Sequence, residues 1–303
     1  EANALALWGT MRLAPAGAHL LYSAVEHPAV RDYAQSLESL GYSVEAVPVD
    51  NQGRVDPLKF AALLRPETAL VSVMATNNEV GTRQPIPDLA ALCHEHGTLL
   101  HVDAVQEPLK ASCGADLMTL SGHKLGGVPA GCLYLRQGLR VAPMLIGGAQ
   151  EDSRRAGTPN LIAAASLALV LGLRSQAEQS RVRALREQLE ERLSEVAGSH
   201  LLGGGTDRAD HISAWLFEDV PAEPMLARLD LSGLAASSGS ACSSHSIEPS
   251  KVLLSMGYSD VQASGLIRFS LGWATTSQEI DEAARLVEQA VDQVRLGRKG
   301  KVA

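Results

Sequence analysis

Four apolar runs in the first half of the chain end in residues that could do chemistry. "YSAVE" is followed by His27, and "VSVMAT" by Asn77 and Asn78. "HVDAVQ" contains Asp103 and Gln106, and "LMTL" leads into "SGHK", with Ser121, His123 and Lys124. Singly, each is an ordinary surface or capping residue. Four such ends in one sheet would converge. Together they offer an amine to condense with an aldehyde, an acid to pair with a protonated ring nitrogen, and donors for a phosphate and a ring oxygen. A pyridoxal phosphate site needs that set. Asp103 carries most weight, because a carboxylate inside an apolar strand is costly and a pyridinium cation would offset the cost. Further on, "SSGSACSS" surrounds Cys242 with small residues that cannot bury it. An accessible thiol on such a stretch suits a nucleophile better than a core.

The elements that must position these residues follow from the pattern around them. "HLLYSAV", "SVEAVPV", "TALVSVMA", "LLHVDAV", "ADLMTLS" and "GCLYLR" read as short buried strands. Between the first four lie "AVRDYAQSLESLG", closed by Gly41, "DPLKFAALL", opened by Asp56 and Pro57, and "PDLAALCHEHG". Apolar strands alternating with helices predict an α/β domain with a mainly parallel sheet. Ligands in such sheets sit at the carboxyl ends of the strands, where the four polar ends fall. One long helix is expected from Leu161 to Ala197, apolar first and then charged. The pattern after it, "HISAWLF", "PAEPMLARLD", the Cys242 stretch, "LIRFSLG" and a helix opened by "TSQEIDEA", predicts a smaller α/β domain. The expected division is residues 1–177, a large cofactor-binding domain, and residues 178–303, a small domain carrying Cys242.

Composition narrows the function classes. The chain has 303 residues, 46% of them hydrophobic, and a formal net charge of −8, which argues against an electrostatic nucleic-acid binder. No window approaches the roughly 18 uninterrupted apolar residues of a membrane span. Four cysteines without CxxC spacing suggest a reducing, cytoplasmic setting. Cys93, His94 and His96 would not share one helix face, so no metal site is expected there. The opening "EANALALWG" reads as a helix already under way, implying a natural start upstream.

"YSAVEHPAV", "TNNEVG", "HVDAVQ", "SGHK", "RRAGTPN", "SSGSAC" and "IRFSLG" occur in an order that resembles the NifS/IscS-type cysteine desulfurases. These are class-V aminotransferases of fold type I, and the resemblance covers essentially the whole chain. It implies a seven-stranded large-domain sheet, pyridoxal 5'-phosphate on Lys124, Asp103 at the ring nitrogen, His27 over the ring face and Gln106 at the ring hydroxyl. It implies phosphate contacts from Ser121 and His123, and from Thr158 across a homodimer. Asn78 and Arg268 would hold the carboxylate of L-cysteine, and Cys242 would take the sulfur as a persulfide. An acceptor protein such as an iron-sulfur scaffold would then receive it. The family's "GATEANN" is represented only by "EANAL", so its threonine phosphate ligand is absent from this sequence. Two other readings stay open at this point: a selenocysteine lyase or another fold-type-I aminotransferase, which would not need Cys242, and a non-catalytic scaffold for sulfur transfer.

Overall fold

A computed structural model describes residues 1–239 and 248–299. The chain divides into two units. The first comprises residues 1–49, 54–77 and 84–174, and the second comprises residues 50–53, 78–83 and 175–303.

The first unit begins with helix α1 (Ala2–Met11) and strand β1 (His19–Ser23), every residue of which is buried. Helix α2 (Pro28–Ser36) starts on His27, whose Nδ1 accepts the Ala29 N–H at 3.1 Å, with Pro28 at the first helical position. A 3₁₀ turn carries the chain on to Gly41 at φ 85°, the left-handed position glycine favours. Strand β2 (Ser43–Val47), the short helix α3 (Pro57–Ala61) capped by Asp56, strand β3 (Thr68–Met74) and helix α4 (Ile86–Glu95) follow. Strands β4 (Leu99–Asp103), β5 (Leu117–Ser121) and β6 (Gly131–Leu135) complete the sheet. The strand order is β2-β1-β3-β4-β5-β6, parallel except for the antiparallel β5–β6 pair. Among the described residues this sheet has six strands, those marked by the six apolar runs, and not the seven expected.

Period-2 alternation gives the sheet two apolar faces. Leu20, Tyr22, Leu70 and Leu117 pack with Leu7 and Met11 of α1 and Val30 and Ala34 of α2. Leu21, Val71, Val73, Leu100, Val102 and Met118 pack on the opposite face with Phe60 of α3 and Ile86, Leu89 and Cys93 of α4. Strands covered on both faces lose their apolar surface completely, which explains why they read as continuous apolar runs.

The single long helix expected over 161–197 is two helices, α5 (Leu161–Leu173) and α6 (Gln176–Ser194). Arg174 and Ser175 are extended, and the Ser175 hydroxyl accepts the Glu178 N–H at 3.2 Å, so a new N-cap interrupts the run.

The second unit has an antiparallel sheet of β7 (Ser199–Leu201), β8 (Ile212–Phe217) and β9 (Ile267–Ser270). Helices α7 (Ala222–Leu231), α8 (Lys251–Ser255), α9 (Asp260–Ala263) and α10 (Ser277–Lys299) join α6 around it. Its core centres on Trp215, with Leu189 and Leu193 of α6, Met225 and Leu229 of α7, and Val287 and Val291 of α10.

Candidate active site

Asp103 is the last residue of β4 and is 5% exposed. Its Oδ2 accepts from the Asn3 side-chain amide at 2.8 Å and its Oδ1 from the Val105 N–H at 3.0 Å. Burial pushes its pKa up, while those two donors and the nearby His27 ring oppose the shift. His27 leads into α2 and its pKa is pushed down, first by burial and also by the Lys124 charge, with Asp103 pulling the other way. His27 therefore lies within reach of the charges of both Asp103 and Lys124. The first unit does bring these three strand ends together.

Lys124 lies in the turn between the antiparallel strands β5 and β6. This turn folds back tightly: Gly122 N–H donates to the Ala130 carbonyl at 2.8 Å, and Gly127 N–H to the Gly122 carbonyl at 3.0 Å. A Cβ on Gly122 would stand 2.6 Å from the Val128 carbonyl oxygen, so the glycine of "SGHK" is needed for this close return. Helix α5 steadies the turn from below, where the Ser166 hydroxyl accepts the Val128 N–H at 3.1 Å. Lys124 is exposed. Ser121 Oγ and His123 Nδ1 lie 2.9 Å apart, a paired hydroxyl and imidazole beside the lysine. Gln106 is half-buried in the connection after β4, and Thr158 is exposed shortly before α5.

Two residues of this site carried no signal in the motif reading. Asn3 holds Asp103 from α1, and Glu26, after β1, lies within reach of its charge. Glu26 is 1% exposed, with Oε1 accepting the Met74 N–H at 2.5 Å. Burial, and then the Asp103 charge, push the Glu26 pKa well up, against the pull of that N–H. Of the two acids, Asp103 has more donors and a basic neighbour opposing its upward shift, whereas Glu26 has the one N–H. The only clue to Glu26 in sequence was its place before His27 in "VEHP".

Asn78 and Arg268 belong to the second unit. Arg268 is on β9, and its Nη1 donates to the Asn78 backbone carbonyl at 2.7 Å, so these two also lie together. Cys242 lies outside the described residues. A cavity of about 980 Å³ in the second unit, lined by residues including His200, Leu216, Met256 and Tyr258, contains none of the candidate residues. Cys93, His94 and His96 are engaged separately: Cys93 is buried and its thiol pushed up to about 12 by burial, His94 faces Asp116 at 3.3 Å and His96 the Leu92 carbonyl at 3.0 Å.

The residues of the first unit fit a pyridoxal phosphate group. Two buried polar atoms adjoining Asp103, Asn3 Oδ1 and Glu26 Oε2, have no hydrogen-bond partner among the described residues. Buried unsatisfied groups are rare and mark places where a ligand or ion belongs. Asp103, an acid raised by burial, gains most from a cationic ring nitrogen, and the Lys124 amine is near enough to act on the His27 ring that faces the same acid.

The aminotransferase class-V sequence profile matches residues 1–283. The chain is similar to a cysteine desulfurase of Klebsiella pneumoniae, 39% identical over 292 residues, covering 93% of this chain and 74% of that protein. It is also similar to the cysteine desulfurase NifS of Azotobacter vinelandii, at 39% identity over 305 residues, 97% of this chain and 76% of the relative. Among solved structures, a NifS-like protein superposes with a TM-score of 0.86 at 27% identity, covering 96% of this chain and 80% of that one. Sequence profile, relatives and strand-end residues agree, and this chain belongs to the aminotransferase class-V family.

Proposed function

We propose that this protein is a pyridoxal-phosphate-dependent cysteine desulfurase acting on L-cysteine. The observation that carries the reading is that His27 feels the charges of both Asp103 and Lys124 at the strand ends of one sheet, in a chain whose relatives bear that name. Lys124 would hold the cofactor covalently, Asp103 would pair with its ring nitrogen, His27 would lie against the ring, Gln106 would meet the ring hydroxyl, and Ser121 and His123 would take the phosphate. When bound, the group supplies an electron sink for the carbon attached to the substrate nitrogen. Asn78 and Arg268 take the substrate carboxylate, for which a guanidinium fork is suited. The Lys124 amine would carry the proton to and from the substrate.

Cys242 acts as the nucleophile. Its thiolate forms an S–S bond with the substrate sulfur as the substrate C–S bond breaks, and the carbon left behind takes up a proton. L-cysteine and one protein thiol thus become L-alanine and one persulfide, with no external oxidant or reductant. An acceptor protein, for which an iron-sulfur scaffold is the first candidate, then takes the terminal sulfur, in a reducing cytoplasmic setting.

We further propose a homodimer. Helix α5 has 13 residues without a single charge, yet Leu161, Ile162, Leu169 and Leu173 are 62–78% exposed. Such an apolar face asks for a partner. A second copy is the natural occupant, because Thr158 stands just before α5 and is suited to reach the phosphate of the facing subunit.

The test is a spectrum and a product assay on the full chain loaded with cofactor. Visible absorbance that changes on adding L-cysteine, stoichiometric L-alanine, and persulfide on Cys242 are expected. Sulfur release undiminished in Cys242→Ser would move the enzyme to the lyases, and an absence of cofactor absorbance would remove it from this chemistry.

A further inference from the structure

Strand β3 lies between β1 and β4 in the sheet, and four consecutive residues at its carboxyl end reach alternately to the two sides. Met74 N–H donates to Glu26 Oε1 at 2.5 Å, toward β1, and Ala75 N–H donates to the Asp103 carbonyl at 2.8 Å, toward β4. The next two residues invert the order and use their side chains. The Thr76 hydroxyl donates to Glu107 Oε2 at 2.8 Å, in the connection after β4. The Asn77 side-chain amide donates to the Val25 carbonyl at 3.0 Å, in the connection after β1. Thr76 is 2% exposed and Asn77 is wholly buried.

Each tie falls beside a residue of the candidate site. Glu107 directly follows Gln106, and on the other side of Gln106 the Val105 N–H is bonded to Asp103 Oδ1 at 3.0 Å. Gln106 therefore lies between two anchored neighbours. Val25 and Glu26 directly precede His27, whose ring is itself fastened to α2 by the Ala29 N–H. Two bonds to the end of β3 hold the chain before His27, and the first turn of α2 holds the ring. A hydroxyl and an amide buried this deeply are costly unless bonded, so both are satisfied only while the two connections keep their places beside β3.

We infer that Thr76 and Asn77 are positioning residues, Thr76 for Gln106 through Glu107 and Asn77 for His27 through the Val25 carbonyl. Residues carried on connections hold a working geometry only when neighbouring bonds lock them. The end of β3 supplies those bonds to both connections at once. This inference rests on the pyridoxal phosphate reading, which gives Gln106 and His27 their roles.

The experiment takes the full chain, with and without pyridoxal phosphate, and reads two pH titrations. The visible absorbance of the loaded chain reports the ring hydroxyl that Gln106 would meet. The imidazole resonances of His27, in cofactor-free protein with isotope-labelled histidine, report that ring. It lies among the charges of Asp103 from β4, Lys124 from the β5–β6 turn, and Arg31 and Asp32 from α2, and burial holds its pKa below 6.5. Asn77→Ala should loosen the ring toward solvent, so its midpoint should rise toward 6.5. Thr76→Val keeps the shape but not the hydroxyl. It should shift the absorbance midpoint by about half a pH unit, the scale of one neutral hydrogen bond, and leave the His27 midpoint in place. Thr76→Ser should restore the native absorbance midpoint. If Asn77→Ala does not fold, the two Thr76 variants decide alone. A native absorbance midpoint in Thr76→Val, or a native His27 midpoint in folded Asn77→Ala, would overturn the inference. So would a His27 midpoint that moves equally in both variants, the mark of general loosening. An unsubstituted chain that takes up no pyridoxal phosphate defeats the cofactor reading, while the His27 titration still decides the Asn77 tie.

Discussion

Glu26 and Asp103 are two buried carboxyl groups at the ends of β1 and β4, and the Asp103 charge that helps raise the Glu26 pKa has a measurable consequence. The folded pKa of Glu26 lies above its ordinary value of 4.5. Its contribution to stability is therefore complete below that value and is lost as the pH rises through the raised folded value. Glu26→Gln keeps the shape and can still accept the Met74 N–H, but it has no proton to lose. In thermal melts of the cofactor-free chain, its advantage over the native protein should grow from acid toward neutral pH. A constant difference at every pH would show that Glu26 does not hold the proton. Neither Glu26 nor Asn3 was legible in the sequence as a site residue. Their roles depend on α1 and β1 packing beside the end of β4, and an isolated Asn or Glu gives no hint of that. Lys124, Asp103 and His27 were legible because each follows an apolar run, and a parallel sheet collects such positions at one edge.

Among the elements, β3, β4 and β5 are joined by a polar crossbar inside an otherwise apolar face. His101 on β4 is wholly buried, with Nδ1 2.8 Å from Ser72 Oγ on β3 and Nε2 3.0 Å from Thr119 Oγ1 on β5. A neutral imidazole has one donor and one acceptor, so both hydroxyls are satisfied only in register. Burial pushes the His101 pKa down from 6.5 to about 3. The unfolded chain protonates at the higher value and the folded chain does not, so this contribution is full above 6.5 and is lost as the pH falls toward 3. Each pH unit in that window removes up to about 1.4 kcal/mol. His101→Gln should be less stable at neutral pH and should show a flatter acid limb in denaturant titrations. An unchanged acid limb would mean that the ring is charged in the fold. The strands themselves were readable as apolar runs, whereas the break between α5 and α6 was passed over. Its signal was present, since Ser175 precedes Glu178 at the spacing of a capping box, but the surrounding helical pattern masked it. The assignment of residues 50–53 and 78–83 to the second unit left no trace in composition or periodicity, because it rests on contacts with residues more than a hundred positions away.

At the scale of the whole molecule, the proposed dimer rests on the apolar face of α5. Leu169→Glu places a charge on that face without touching the core, since Leu169 is 62% exposed in the single chain. Burying a leucine contributes about 1.5–3 kcal/mol, so this variant should weaken the dimer at least about tenfold in sedimentation equilibrium, with two such positions lost in each pair. An unchanged association constant would place the interface elsewhere. The exposure of Thr158 just ahead of this helix also has a genetic consequence. If each site draws Lys124 from one subunit and Thr158 from the other, two defective proteins can repair one another. In a mixed dimer of Lys124→Ala and Thr158→Ala chains, one site carries both lesions and the other carries neither. Random pairing makes half of the dimers mixed, with one good site in two, so co-refolding the two inactive proteins should restore about a quarter of native activity. Two alleles that each abolish sulfur mobilisation alone would then complement when expressed together, whereas two lesions on the same side of the exchange, such as Lys124→Ala with Asp103→Ala, would not.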